Sequence, residues 1–420
     1  MSVPPRHCGL DFGTSNTTIG VAHGDAARLL ALEGDRVTIP STIFFDFESD
    51  RTVFGRAAIA EYISGTDGRM MRALKSILGS TLSEEAVRIK RRVVPFLDII
   101  GIFVAELKKR AEAALGHELD HVVVGRPVHY VDGDPLADRE AEKRMAAAVR
   151  AQGFRHVEFQ FEPIAAALDY EQRVTREELG LIVDLGGGTS DFSIVRVSSE
   201  RAKASDRKAD ILATAGVHIG GTDFDRLLSL KKVMRALGYQ TPTLDGKRPL
   251  PSGPYVDLAT WHRINRLYTA DMLRELSQTE REAREPERVA DMISIVRHRE
   301  GHRLAGDVET AKIALTAAPA TRVHFEGAEV TLDMPVSAAD LGAVIAGSIE
   351  RIADTIGTAL AMAKIPADRI DTVILTGGST QIPAIMARLR AMFAEARFVE
   401  TDAFGSVGLG LALEARRRFG

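Results

Sequence analysis

The sequence predicts an α/β protein built from two similar lobes, and three observations carry that prediction. The stretches "CGLDFGTSNTTIGV" (8–21) and "LIVDLGGGTSDFSIV" (181–195) follow one plan: an apolar run ends at an aspartate, glycines and hydroxyl residues follow, and a second apolar and β-branched run returns. Strand-like and helix-like segments alternate through both halves, the pattern of an α/β fold. Each half also has a later strand that feeds a glycine turn and a helix, so the coarse order is duplicated.

The elements follow in order. After the first turn, "TTIGVAHG" and "ARLLALEG" form a short antiparallel meander broken at Gly24 and Gly34. Residues 55–78 read as helix in two pieces, interrupted around Gly65 to Gly68. Pro95 opens a helix over 95–115, "DHVVVGRPV" (120–128) is a buried strand, and a helix over 136–152 leads to a short strand around "VEFQ". The second half restarts with strands 180–185 and 191–197 around the glycine turn, and the charged "ERAKASDRKAD" (200–210) reads as a surface turn. "ILATAGV" is a strand, followed by a glycine turn and a helix capped from Thr222 or Asp223. Residues 238–260 are irregular and 260–316 mainly helical. "TRVHFEG" and "EVTLDMPV" make a hairpin turning at Gly327; helix 337–362, the strand, turn and helix of "DTVILTGGSTQIPAIMARLRAMF", and helix 402–417 complete the chain. The expected division is one lobe over 1–178 and a second over 179–420, elaborated at about 225–315.

Composition narrows the function classes. With 420 residues, 45% apolar and 27% charged, the chain is long enough for a large core and too apolar to be disordered. A net charge of -4 gives no general attraction to nucleic acid or to an anionic membrane, and no window approaches the ~20 apolar residues of a membrane span. The single cysteine, Cys8, lies in the first strand and is expected to be buried. Cytoplasm is the expected location.

The repeated turn has a chemistry. Glycines let successive N–H groups face one anion: Gly13, Thr14 and Ser15 in the first turn, and Gly186, Gly187, Gly188 and Thr189 in the second. Two such turns facing each other can hold a polyphosphate from both sides. Carboxylates beside phosphates need an intervening cation, and Asp11 and Asp184 suit a hydrated Mg2+ that keeps several waters. The bland alternative is a pair of surface hairpins whose aspartates only satisfy backbone amides. No GxxxxGK[ST] loop, zinc-ligand spacing or GxSxG elbow competes.

At this point the residues resemble the superfamily of actin, sugar kinases and the heat-shock seventy-kilodalton chaperones, most nearly the nucleotide-binding portion of a short bacterial member of the chaperone group. "LDFGTSNTTIGV", "FEPIAAALDY", "VDLGGGTSDFSIV", "GVHIGGTDFD", "ETAKIALT" and "VILTGGSTQIPAI" match, in order. The resemblance implies a duplicated actin-like ATPase fold, each lobe with a ribonuclease-H-like core, binding ATP or ADP with Mg2+ and without a peptide-binding domain in these residues. It implies that Thr14 and Ser15 contact the β- and γ-phosphates, that Asp11 and Asp184 organise Mg2+, and that Lys75 lies near the γ-phosphate with Thr189. Glu162 and Asp191 would position the attacking water. Gly220 and Gly221 would approach phosphate, while Gly377, Gly378, Ser379, Glu309, Lys312, Thr316 and Asp402 would lie on the adenosine side.

Each residue also has an ordinary reading: Lys75 as a helix lysine, Glu162 as a helix opener before Pro163, and Glu309, Lys312 and Thr316 as one solvated helix face. Ile313 and Gln381 stand where the resemblance places arginines that frame the adenine, which implies weaker stacking on the base. The leading expectation is a slow ATP-hydrolysing, chaperone-like conformational switch. The alternatives are a small-molecule kinase of the same superfamily and an ATP-ordered cytoskeletal or interaction protein. The expected partners are a nucleotide and an unidentified protein; the expected state is monomeric, and 238–300 reads either as a partner-binding elaboration or as a solvated helical subdomain.

Overall fold

A computed structural model describes residues 6–24, 26–72, 74–78, 86–131, 134–171, 174–204, 206–400 and 405–420. Two compact units emerge: Met1–Val217 with Thr355–Thr380 and Phe393–Gly420, and His218–Asp354 with Gln381–Met392. The lobe boundary read at 178/179 falls inside the first of them.

The first unit begins with strands β1 (His7–Phe12), β2 (Asn16–His23), β3 (Ala26–Leu29) and β4 (Ile39–Pro40). An excursion follows: β5 (Thr42–Asp46), β6 (Thr52–Phe54), helix α1 (Gly55–Ile63), β7 (Gly68–Arg72) and the hairpin β8 (Ala86–Ile89) and β9 (Arg92–Pro95). The chain returns through α2 (Phe96–Leu115), β10 (His121–Arg126), α3 (Pro135–Arg150), β11 (His156–Phe161) and α4 (Glu162–Glu171). Local chemistry sets the helix ends. Asp134 accepts hydrogen bonds from the Leu136 and Ala137 amides ahead of Pro135, and α2 stops at Gly116, whose φ of 75° is left-handed.

The unit continues with β12 (Glu178–Leu185), β13 (Ser190–Val197) and β14 (Ile211–Val217). The second unit holds α5 (Gly221–Lys231), α6 (Val233–Ala236), α7 (Gly253–Leu258), α8 (Ala270–Glu282), α9 (Pro286–Arg297), α10 (Gly301–Ala314) and the hairpin β15 (Ala320–Glu326) and β16 (Thr331–Ser337). Helix α11 (Ala338–Ala363) leads to β17 (Thr372–Thr376), α12 (Pro383–Met392), β18 (Arg397–Glu400) and α13 (Ser406–Phe419).

The duplication is written in the topology. One sheet has the order β11-β10-β1-β2-β3, the other β18-β17-β12-β13-β14. In both, the central strand is antiparallel to the strand after its glycine turn and parallel to the later one, with the outer pairs matching as well. Helices α4 and α13 each follow the outermost parallel strand and share one buried cluster, with Ile164, Ala166, Val407 and Leu411 beside Val123, Ile182 and Ile374 of the two sheets. A Cβ on Gly410 would stand 1.9 Å from the Ala165 carbonyl oxygen, so only glycine permits this close helix approach. This is the α/β fold of duplicated, actin-like lobes that the repeated turns predict.

Three expectations change. Residues 68–72 do not continue a helix: they pair with β5 as a strand, and Leu74–Ile77 form one 3-10 turn, because Gly65 ends α1 and the segment finds an open sheet edge. The charged stretch 200–210 is not a simple surface turn. The Arg207 guanidinium donates to both Glu171 oxygens at 2.9 and 2.6 Å, with side chains only 1% and 0% exposed. The last helix starts at Ser406, and Asp402 lies outside the described residues. No helix among the described residues is long and apolar enough to cross a membrane.

Candidate functional site

The first unit gathers the two aspartate turns. β1 and β2 pair with Asp11 opposite Thr18, leaving Gly13, Thr14 and Ser15 in the turn. Ser41, just after β4, braces it: its hydroxyl donates to the Gly13 carbonyl at 2.7 Å, its amide donates to the Ser15 carbonyl at 2.9 Å, and its hydroxyl meets that of Thr17 at 2.9 Å. The second turn is closed by the Gly186 amide donating to the Thr189 carbonyl at 2.9 Å, and here Asp184 lies directly opposite Asp191. The turns abut. A Cβ on Gly187 would lie 2.3 Å from the Ser15 hydroxyl oxygen, so the second turn comes against the first only because position 187 has no side chain.

A third turn joins them. β17 runs parallel to β12 with Thr376 opposite Asp184, and Gly377, at φ 82°, follows. A Cβ there would stand 2.3 Å from the Leu185 carbonyl oxygen and 3.0 Å from an Asp184 carboxylate oxygen. Gly378 and the buried Ser379 continue into a 3-10 turn, closed by the Thr380 hydroxyl donating to the Gly377 carbonyl at 2.7 Å.

Lys75 and Glu162 meet within electrostatic reach of both aspartates. The Lys75 ammonium donates to Glu162 Oε1 across 87 residues of sequence, with side chains 12% and 17% exposed. Glu162 is the first residue of α4 and lies above Gly125, so the ordinary reading of it as a helix opener also holds. Burial, Glu162 and, in opposition, Lys75 set the Asp11 carboxyl, which is pushed up to about 7. Burial together with Asp191, Glu162 and Asp11 pushes the Asp184 carboxyl up to about 8, again against Lys75. Burial works against the Lys75 ammonium, but Glu162, Asp11 and Asp184 outweigh it and hold its pKa above the usual lysine value. One lysine therefore faces three carboxylates, Glu162, Asp11 and Asp184, with Asp191 acting on Asp184 beside them.

No cluster of three or more His, Cys, Asp or Glu among the described residues is drawn close enough to ligate a metal directly.

The remaining predicted residues lie in the second unit. Gly220 and Gly221 open α5, and the Gly220 amide donates to the Asp223 carboxylate at 3.1 Å. Glu309 is exposed on α10, and the Thr316 hydroxyl donates to the Ile313 carbonyl at 2.7 Å. Lys312 is buried, and its ammonium donates to the Gly221 carbonyl at 3.1 Å and to Asp225 at 2.9 Å. Burial pushes the Asp225 carboxyl up to about 6, with Lys312 opposing. Ile313 is 57% exposed. Sequence reasoning missed Ser41 and Asp225. Ser41 carries no motif signal, whereas Asp225 stood in view as the last residue of "GVHIGGTDFD".

Two copies of one sheet, each presenting an aspartate and a glycine turn so that the turns abut, define the class of duplicated α/β proteins to which actin, sugar kinases and the seventy-kilodalton chaperones belong. Within it, residues 7–100, 96–236 and 289–416 match the family described as Hsp70 protein, and the chain belongs to that family. The family is one of ATP-binding, chaperone-type ATPases. The matched segments leave 237–288 between them, the stretch that holds α7 and α8.

Proposed function

We propose that the protein is a Mg-ATP-binding, slowly ATP-hydrolysing conformational switch, with lobes 1–178 and 179–420 and an elaboration at about 225–315. The observation that carries this reading is the abutment of the Ser15 and Gly187 turns, with the Lys75–Glu162 pair acting on the aspartates that open them. Amides and hydroxyls of Gly13, Thr14 and Ser15 would bind phosphate from one side, and those of Gly186, Gly187, Gly188 and Thr189 from the other. Gly220 and Gly221 would complete the phosphate contacts. Asp11 and Asp184 would hold a hydrated Mg2+, which when bound neutralises charge on the phosphate oxygens. Glu162 and Asp191 would orient the attacking water and accept its proton, and Lys75 would leave Glu162 to stabilise charge at the γ-phosphate. Gly377, Gly378, Ser379, Glu309, Lys312, Thr316 and Asp402 would line the nucleoside side.

This function calls for neither a sugar nor a peptide-binding module, so nucleotide-driven movement is the output we assign. Titration calorimetry with Mg-ATP, together with limited proteolysis and solution scattering with and without nucleotide, tests it. Heat of binding and a changed digest are expected. A protein that binds no Mg-ATP and keeps one digestion pattern would refute the assignment.

A further inference from the structure

Three histidines stand in one row at the edge of the first sheet. His7, His121 and His156 are the first residues of β1, β10 and β11, and the parallel registers pair His7 with His121 and His121 with His156. Parallel strands in register send paired side chains to the same face, so the three imidazoles form a ladder. The His121 and His156 rings stack at 4.2 Å with 14° between planes. Phe419, in the last turn of α13, closes over them at 4.9 Å from His121 and 6.5 Å from His156. His7 is 6% exposed, and its Nε2 has no hydrogen-bond partner.

The surrounding charges are poorly matched to three added protons. Before β10, Asp120 takes the His121 Nδ1 contact at 2.6 Å while also facing Arg6 at 3.2 Å and the charge of Arg155. Glu118 is taken by Arg6 at 3.0 Å. From α13, Arg416 acts on His7, while Arg418 occupies Glu158 and Glu414. Lys108 and Glu112 act on Cys8, whose side chain points to the opposite face of β1. Burial, with His121 and Arg416, holds His7 below the ordinary imidazole value. A base whose pKa is depressed by folding contributes stability that is fully present above about 6.5 and is lost as pH falls through the lowered value.

Helix α13 connects this row to the glycine turns. At its start, the Ser406 and Thr376 hydroxyls meet at 3.0 Å, next to Gly377. Farther along, a Cβ on Gly20 of β2 would touch the Gly408 carbonyl oxygen at 2.7 Å, and one on Gly9 of β1 would touch the Ala412 amide at 2.4 Å. One helix of 14 residues thus runs about 21 Å from the third glycine turn, past the strands of the first, to the histidine row.

We propose that the His7–His121–His156 row is a pH-sensitive latch on the last turn of α13. Neutral imidazoles stack and seat Phe419. A proton added to the buried His7 in mild acid meets His121 and Arg416, and its repulsion from them releases that turn, loosening the helix that braces the strands of the glycine turns. The latch acts in the nucleotide-free protein, so it stands or falls apart from the ATPase assignment.

Amide hydrogen exchange of the nucleotide-free chain at pH 7.5 and 5.5, corrected for intrinsic rates, tests it. Protection over 412–419 is expected to fall on the order of tenfold in acid while α9, in the other unit, holds its protection. The double variant His7→Leu, His156→Gln should keep the turn protected at pH 5.5. Unchanged protection in the wild type, or equal loss in the variant, overturns the latch. Should the variant not fold, NMR titration of the wild-type imidazoles decides. One imidazole titrating below the ordinary histidine value in step with the Phe419 ring signals supports the latch; histidines all at the ordinary value, or Phe419 signals indifferent to pH, overturn it.

Discussion

The two aspartate turns are copies in topology but not in chemistry. In the first, the residue opposite Asp11 is Thr18; in the second, the residue opposite Asp184 is Asp191. The first turn is braced from outside by Ser41, whereas the second closes on itself through Gly186 and Thr189. Both aspartate carboxyls are pushed up by burial; Asp191 comes next among the causes at Asp184, whereas at Asp11 the next cause is Glu162 from α4. The lesson is that duplication supplies two equivalent places to hold an anion, and one substitution across a strand pair makes them unequal. Under the proposed function, both copies hold phosphate, and the second adds Asp191 to Glu162 in activating water.

Making the second copy resemble the first is the strongest way to break the comparison. Asp191→Thr should lower phosphate release by roughly 10³-fold, within the range that a general base contributes, while Mg-ATP still binds. Turnover at the wild-type rate would remove Asp191 from the mechanism. Next in size, Lys75→Ala should slow release about 10²-fold by deleting the ammonium that faces Glu162, Asp11 and Asp184, with a smaller change in nucleotide affinity. Equal losses in affinity and turnover would mean that Lys75 only binds.

A smaller effect tests the contact between the copies. Gly187→Ala puts a methyl on the Ser15 hydroxyl and should weaken Mg-ATP binding about tenfold, roughly 1.4 kcal/mol. At Gly188 an added Cβ meets nothing within 4 Å, so Gly188→Ala should disturb binding less. The reverse ranking by calorimetry would show that the turns do not act together.

The smallest effect concerns pH. A carboxyl whose pKa is raised by folding contributes stability that is fully present below about 3.9 and is lost as pH rises through the folded value. Without nucleotide or Mg2+, melting temperature should decline as pH rises above about 3.9, with the Asp11 contribution spent by about 7 and that of Asp184 by about 8. Asp184→Asn should remove the decline between about 7 and 8 and make the part below it shallower, and a melting profile unchanged by the substitution would show that the second copy carries no such strain.

Much of this was legible before any coordinates. The helix over 95–115 was readable from apolar spacing and from Pro95 and forms as α2, and the helix read over 136–152 forms as α3. The hairpin turning at Gly327 was readable from its alternating runs. Residues 68–72 were not, because "GRMMR" has no local strand signature and becomes a strand only against β5. Residues 200–210 misled for a related reason: their charge reads as solvated until Glu171, 36 residues away, provides a buried partner for Arg207. The three- and four-residue spacing of Glu309, Lys312 and Thr316 was legible, but that Lys312 is buried and taken by Asp225 is a tertiary fact.

The sequence by itself determined the repeated aspartate and glycine turns, the alternation of strand and helix, and so the duplicated α/β class, because glycine conformations, caps and side-chain periodicity act within a few residues. Only the tertiary structure decided that Ser15 lies against Gly187, that Lys75 is held by Glu162, and that three histidines from strands far apart in the chain fall into one row under Phe419. Those outcomes depend on desolvation and on contacts between distant segments, which exist only once the sheets and α13 have packed.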